Sequence, residues 1–484
     1  MAGQDLRTFI ARLEAAGQLR RVTAEVSADL EIAEIASRLV AAAGPAALFE
    51  NVAGHTMPVL LGAFASMGRM AWALGAESVE DVAGRVAGLL RPRLAGGLGA
   101  TIKAAPRLLK LTGLRPKVVR SAPSQEVVHT DNADIGRLPI LKCWPGDGGR
   151  YITLAQVYTT GPDGKNRNVG MYRLQVFGPR RLGMHWHRDH DGARNFRAWA
   201  EHGRDAPGMP VAVALGGDPV LTYAATAPLP YGMDELVFAG FLRGEAVRLV
   251  PCRTVPLEVP ADAEIVIEGT VDFEERALEG PFGDHTGYYT PPEEYPVMRV
   301  TAITHRADAI YPTTVVGRFP KEDCYLAKTT ERLFLPVIRT FVPEVVDLNL
   351  PLFGVFHNWA FVSIRKTHPH QAHKVMHALW GLGQMMYTKF LVVVDADVNV
   401  QNPEEVLWRV GAEADPKRDA ILTTGPADVL DHAAPKSGAA GKLGIDATRK
   451  LPEEAGGQPW PQPLRSDADT AARVTRRWKE YGLE

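Results

Sequence analysis

The chain has 484 residues, 46% of them hydrophobic and 23% charged, with a formal net charge of −2. That length exceeds the about 250–300 residues a single core sustains, so two or three domains are expected. The near-balance of charge leaves no overall field to favour nucleic acid or an anionic membrane.

In chain order, Leu6, Phe9, Ile10 and Leu13 recur at helical spacing, with Asp5 placed to cap the helix start. This N-terminus has no continuous apolar core of signal-peptide type, and no apolar run approaches the about 20 residues of a membrane helix. A second helical pattern (Leu30, Ile32, Ile35, Ala36, Leu39) stops at Gly44-Pro45. From Arg91 to Arg120 the charge is all basic, which suits a solvated face or linker, or else a phosphate-binding or partner surface. From about Ser121 to Arg306 short apolar runs alternate with Gly, Pro and Asp. The stretch Ala263–Gly269 alternates apolar and polar residues as a half-buried strand does. Many short strands without helical interruption predict a barrel or sandwich. Beyond about Tyr311 the pattern is mixed: a helix over His370–Trp380, then Phe390–Val394, a run suited to a strand buried on both faces. A Gly/Pro/Gln-rich stretch (Gly456–Arg465) precedes a short charged helix at the C-terminus. Cys143, Cys252 and Cys324 are far apart and odd in number, as reduced thiols are, and a cytoplasmic protein is expected.

Phosphate-loop, dinucleotide-fingerprint, zincin and serine-hydrolase motifs are absent from the sequence. Three segments are dense in chemistry. Asn168-Val169-Gly170-Met171-Tyr172-Arg173 pairs an amide oxygen with a guanidinium; these suit a cation and a carboxylate or phosphate, or else a turn and a surface charge. Met184-His185-Trp186-His187-Arg188-Asp189-His190-Asp191-Gly192 holds imidazoles and carboxylates of the kind that ligate divalent metals, and also of the kind that line polar loops. In Glu279-Gly280-Pro281-Phe282-Gly283-Asp284-His285-Thr286-Gly287-Tyr288-Tyr289 two acids flank a forced turn. It either aims both into one pocket or lets Asp284 cap its own backbone.

These segments, with Asp234-Glu235-Leu236-Val237-Phe238-Ala239-Gly240, Thr388-Lys389-Phe390-Leu391-Val392-Val393-Val394-Asp395 and Asp446-Ala447-Thr448, resemble in order the UbiD family of decarboxylases, over roughly Leu6 to Lys450. The resemblance leans towards the bacterial quinone-pathway branch. It implies an N-terminal α/β region (1–120), a split β-barrel holding flavin (121–306) and a linker with a C-terminal α/β oligomerisation domain (307–484) in a homodimer or homohexamer.

The implied cofactor is prenylated FMN, supplied by a separate flavin prenyltransferase, its phosphate held through a divalent metal such as manganese and through potassium. Asn168 and Glu235 resemble the metal ligands. Met171, Tyr172, Arg173, His185, Trp186, His187, His190, Asp191 and Lys389 resemble cofactor contacts. Relatives often read Met-His-Trp-Gln-x-His-Lys, whereas Asp189 stands here at the usual His position. The third metal ligand is therefore assigned to His190, with Asp189 and Asp191 as alternatives.

The family's catalytic set falls on Arg173, Glu279 and Asp284: the arginine fixing the acids, Glu279 ionised, and Asp284 a proton donor whose pKa burial is expected to raise. The expected reaction is reversible, non-oxidative decarboxylation of an aromatic, heteroaromatic or α,β-unsaturated acid through a covalent adduct with the cofactor. A metal-dependent hydrolase built on residues 185–191 and a non-catalytic oligomeric scaffold are the competing readings.

Overall fold

The computed structural model describes residues 5–90, 113–203, 206–435, 438–462, 464 and 466–483. Of the basic stretch at 91–120, residues 91–112 lie outside the described residues.

Asp5 caps α1 (Leu6–Ala15) as expected. Its carboxylate accepts from the Thr8 N–H at 2.8 Å, and Thr8 Oγ1 accepts from the Asp5 N–H at 2.9 Å. Its buried face carries Leu6, Phe9, Ile10 and Leu13. Strand β1 (Leu19–Val22), helix α2 (Glu31–Ala41), β2 (Ala46–Phe49) and β3 (Val59–Leu61) follow. The small sheet they build takes its fourth strand from Tyr311–Pro312, far along the chain.

The middle of the chain forms a nine-stranded sheet. Its strands are β4 (Val127–His129), β5 (Tyr151–Ile152), β6 (Gln156–Thr159), β7 (Asn168–Met171), β8 (Leu174–Gly178), β9 (Arg181–Met184), β10 (Met209–Leu215), β11 (Ile265–Glu279) and β12 (Glu293–His305). The order is β5-β8-β9-β12-β11-β10-β6-β7, with β4 on β12, and every ladder is antiparallel. Among the described residues the path does not close. The chain passes from one end of it (β7) towards the other (β8) through Tyr172 and Arg173 alone. Helices interrupt this region, contrary to the uninterrupted strands expected: α3 (Asp191–His202), a short one at Pro219–Ala224, and α4 (Glu235–Arg243). Each starts at an extended N-cap, and Asp218 and Asp234 cap the latter two with side-chain hydrogen bonds.

Helix α5 (Glu322–Phe341) leads to a second sheet of β13 (Val345–Asn349), β14 (Trp359–Ile364), β15 (Phe390–Asp395), β16 (Ala420–Pro426) and β17 (Ala439–Ala447), with α6 (Gln371–Trp380) packed on it. Its order is β13-β14-β15-β17-β16. The inner three strands are parallel, which is why Leu391–Val394 reads as continuously apolar. The helix expected at the C-terminus spans Ala468–Arg476.

Two buried clusters each combine the N-terminal region with the large sheet: Phe9, Leu13 and Phe64 with Tyr158 and Val266, and Ile32 and Phe49 with Leu182 and Ile267. Two others, around Val362 and Val393 and around Phe361 and Val394, lie wholly in the C-terminal lobe. No described helix is long and apolar enough to cross a membrane.

Candidate active site at the seam of the large sheet

Arg173 occupies the seam between β7 and β8, and a second chain segment brings the acids to it. Glu279 ends β11. The Gly280–Pro281 peptide is cis, and a two-rung hairpin of Phe282–Gly283 with Tyr289–Thr290 then turns Asp284 back towards the arginine. Asp147 pins that hairpin from below, accepting from the N–H groups of Gly283 (2.8 Å), Trp144 (2.9 Å) and Cys143 (3.2 Å). A Cβ on Gly148 would overlap the Gly280 carbonyl, so the approach is open to glycine only.

The Arg173 fork spans both acids. Nε and Nη2 donate to Glu279 at 2.9 and 3.1 Å, Nη1 donates to Asp284 Oδ2 at 2.6 Å, and Nη2 also reaches Thr290 Oγ1 at 3.2 Å. The guanidinium lies 4.3 Å from the Phe282 ring centroid. All three charged groups are largely removed from water, with side chains 9%, 1% and 4% exposed for Arg173, Glu279 and Asp284. Charge-assisted bonds of this kind in a low-dielectric site hold the geometry firmly.

Ionisation departs from expectation at Asp284. Burial pushes its carboxyl upward, but the hydrogen bond and charge of His285, with the Arg173 guanidinium, outweigh burial and hold it down at about 2. His285 Nδ1 and its backbone N–H both meet Asp284 Oδ1 at 2.7 Å, and the imidazole is raised because that carboxylate overcomes its own desolvation. The expected raised Asp284 is therefore corrected: two cationic partners keep it a carboxylate. Glu279 is likewise lowered, burial being outweighed by His185 and Arg173. Burial lowers His185, so this imidazole is neutral and donates from Nδ1 to Glu279 at 3.0 Å. Its Nε2 then accepts from His187 Nε2–H at 2.8 Å, a tautomer assigned from this network. Burial, then His185, lowers His187 to about 2 and His190 to about 4.

The second group of candidates lies beyond these imidazoles. His190 Nδ1 accepts from the His187 N–H at 3.2 Å, and its ring lies 5.1 Å from that of Tyr172. The Tyr172 hydroxyl meets Asn168 Oδ1 at 3.4 Å and covers Gly170 so closely that no Cβ fits there. The Asn168 amide donates to Glu235 Oε1 at 3.3 Å, and the Val169 N–H to Oε2 at 3.0 Å. Glu235 is buried, and burial raises it to about 7. A buried carboxylate beside an amide oxygen, accepting from the neutral Asn168 amide and Val169 N–H, is a donor set that fits a hard divalent cation. The buried Trp186 Nε1–H, which has no hydrogen-bond partner among the described residues, is a further unspent donor nearby.

The one unprotonated nitrogen of neutral His190 accepts from the His187 N–H and must give up that bond to ligate, Asp189 is exposed, and Asp191 starts α3 and pairs with Arg194 at 3.2 Å. His185 and His187 are spent on Glu279 and each other instead of gathering with Asp189 or Asp191. Among the described residues no three His, Cys, Asp or Glu converge as the hydrolase reading would need.

Met171 is half-buried at the end of β7. Lys389 immediately precedes β15 in the C-terminal lobe and pairs with Asp431 at 2.8 Å. The C-terminal lobe reaches the acid turn through residues the sequence reading did not single out. Phe356 stacks on His285 at 5.0 Å, His357 lies 6.1 Å from it, and His357 Nε2 is 3.4 Å from Asp428. Tyr295 packs 4.4 Å from His185, and burial raises the enclosed Asp323 to about 6. His285 and Thr290 sit within or beside a motif and were visible; the others come from distant, unpatterned positions.

Residues 10–86, 117–319 and 324–447 match, respectively, the N-terminal, Rift-related and C-terminal domains of 3-octaprenyl-4-hydroxybenzoate carboxy-lyase, the UbiD domains. An uncharacterised protein of Archaeoglobus fulgidus is 49% identical over 481 residues, and one of Aquifex aeolicus 46% identical over 484, each covering 99% of both chains. The UbiD-class enzyme HmfF of Pelotomaculum thermopropionicum, solved with FMN, is 32% identical over 96% of this chain and 98% of its own, with a TM-score of 0.80. An evolved dimeric form of HmfF, solved with prenylated FMN, is 31% identical over 96% of this chain and 98% of its own, with a TM-score of 0.78. The closed form of vanillic acid decarboxylase from Sedimentibacter hydroxybenzoicus is 27% identical over the full length of both chains, with a TM-score of 0.85.

Proposed function

Because this chain belongs to the UbiD family of carboxy-lyases, we propose that it releases CO2, reversibly, from an aromatic, heteroaromatic or α,β-unsaturated carboxylic acid with prenylated FMN as cofactor. The observation that carries the reading is the buried Arg173 fork bridging Glu279 and Asp284 beside the Asn168–Glu235 donor set. Decarboxylation at an sp2 carbon leaves an electron pair with nowhere to go, and the bound prenylated flavin supplies the sink for it.

The remaining work falls to the chain. Arg173 fixes the two carboxylates and closes the seam of the sheet. Glu279 stays ionised through Arg173 and His185. Asp284 faces the reacting acid and returns a proton to the carbon that lost CO2. Asn168 and Glu235, with His190, would hold a divalent cation such as manganese, potassium being the accompanying monovalent ion. Tyr172, Met171, His185, Trp186, His187 and Asp191 would line the flavin, with Lys389 reaching it from the C-terminal lobe. Three unpaired cysteines support a reducing compartment, and we place the enzyme in the cytoplasm, as a homodimer or homohexamer loaded by a flavin prenyltransferase.

Co-production with a flavin prenyltransferase, followed by absorption spectroscopy, metal analysis and CO2 release from hydroxybenzoic, hydroxynaphthoic, furoic and cinnamic acids, tests the reading. A flavin band with a divalent metal and turnover of at least one acid is expected. Protein that takes up neither flavin nor metal under those conditions sinks it.

A further inference from the structure

We propose that His285 supplies the proton that Asp284 hands to the carbon losing CO2, so that the acid of this site is the Asp284–His285 pair. The inference rests on the decarboxylase reading and deepens it. His285 touches neither flavin nor substrate in this assignment; it acts through Asp284 and is a positioning residue.

Both oxygens of Asp284 are occupied by cationic donors. Oδ2 takes Arg173 Nη1 at 2.6 Å, and Oδ1 takes His285 Nδ1 and the His285 N–H, each at 2.7 Å. A carboxylate held this way has no proton of its own to give in the resting protein. Arg173 does not release one at any working pH. His185 is neutral and its Nδ1–H is committed to Glu279. Among the groups bonded to the two acids, the His285 imidazolium remains. It is enclosed between the acid turn and the C-terminal lobe, stacked at 5.0 Å on Phe356. Its charged and titratable surroundings are Asp284 on its own hairpin, Asp323 at the start of α5, Asp428 and His357 from the C-terminal lobe, and Arg173 behind Asp284. The carboxylates outnumber the cations there and favour the imidazolium.

The step balances without any oxidant. The Nδ1–H bond of His285 breaks and its proton passes to Asp284 Oδ1. Asp284 gives that proton to the carbon, where the electron pair of the broken C–C bond becomes the C–H bond. Neutral His285 is then reprotonated from water, and the same sequence runs backwards in carboxylation. Direct neighbours in the sequence can do this because the turn at residues 284–287 folds the imidazole over its own preceding carboxylate.

The first test needs no bound cofactor. In the full-length chain labelled with 13C at the histidine ring, NMR should show His285, assigned by its loss in His285→Gln, titrating above the ordinary value of about 6.5. In Asp284→Asn it should fall back towards that value. In loaded enzyme, with whichever acid of the panel turns over fastest, His285→Gln should lower kcat about 100-fold with KM little changed. Wild type should show a fall of kcat at alkaline pH, and His285→Gln should abolish it. A wild-type His285 that is neutral below pH 6, or a His285→Gln enzyme with unaltered kcat and pH profile, overturns the proposal. Failure of every acid to turn over would count against the decarboxylase reading, while the NMR titration would still decide the pair.

Discussion

At Arg173 a single guanidinium spans two carboxylates, Glu279 and Asp284. Asp284→Asn keeps size and a hydrogen-bonding group but holds no transferable proton. Turnover should drop by about 10²–10⁴ while flavin occupancy, read from the absorption band, stays near wild type. Loss of flavin in that variant would make Asp284 a structural cap of its own turn. The same variant carries a pH signature. Asp284, lowered from 3.8 to about 2, contributes stability that is present above 3.8 and lost as pH falls through about 2. His285, raised from 6.5, contributes stability present below 6.5 and lost as pH rises through its higher folded value. The stability gap between wild type and Asp284→Asn, measured by urea denaturation, should therefore be widest between those limits and shrink on both sides. At the other end of the site, Asn168→Ala and Glu235→Ala should lose metal and flavin together, since both groups belong to one donor set; full metal and flavin content in either would end that assignment. The convergence of Arg173, Glu279 and Asp284 was legible only through the family resemblance, since the motifs alone left Arg173 open as a surface charge and Asp284 as a cap of its own turn. The charge state of Asp284 was not, because it is set by the sum of burial and two cations whose distances no spacing encodes.

Elements place these residues by close approach. The hairpin bearing Asp284 leans on the loop at Gly148, where an added methyl would overlap the Gly280 carbonyl. Gly148→Ala should cost about 1–3 kcal/mol, seen as a lower urea midpoint, and should also reduce turnover, because the displaced backbone follows directly on Glu279. The amphipathic α1 and the doubly buried β15 were readable from periodicity and composition alone. The helices inside the large sheet were not. Asp191–His202 and Glu235–Arg243 carry Asp and Glu at their starts that also read as site ligands, and the β signal of the flanking strands dominates the window.

Over the whole molecule, the N-terminal region and the large sheet share two buried clusters, whereas the C-terminal lobe has its own. Calorimetry should resolve two unfolding units, not three. Glu322 ties the first unit to α5: its carboxylate accepts from the Phe64 N–H at 2.6 Å and the Gly62 N–H at 3.2 Å, all buried. Glu322→Ala strands both donors, each costing about 1–3 kcal/mol. It should lower the transition of the N-terminal unit more than that of the C-terminal lobe; an equal shift in both would show that they unfold as one.

Local rules read along the chain determined α1, α2, α6 and the apolar strand β15, the mixed α/β class and the family to which its motifs belong, because capping, periodicity and short motifs act over a few residues. The tertiary structure decided the rest. Long-range pairing gives the N-terminal sheet a strand from Tyr311–Pro312, and it brings Phe356, His357 and Asp428 over His285. The ionisation of Asp284 follows from that assembly, since electrostatic energies depend on distances and burial that only the folded chain fixes.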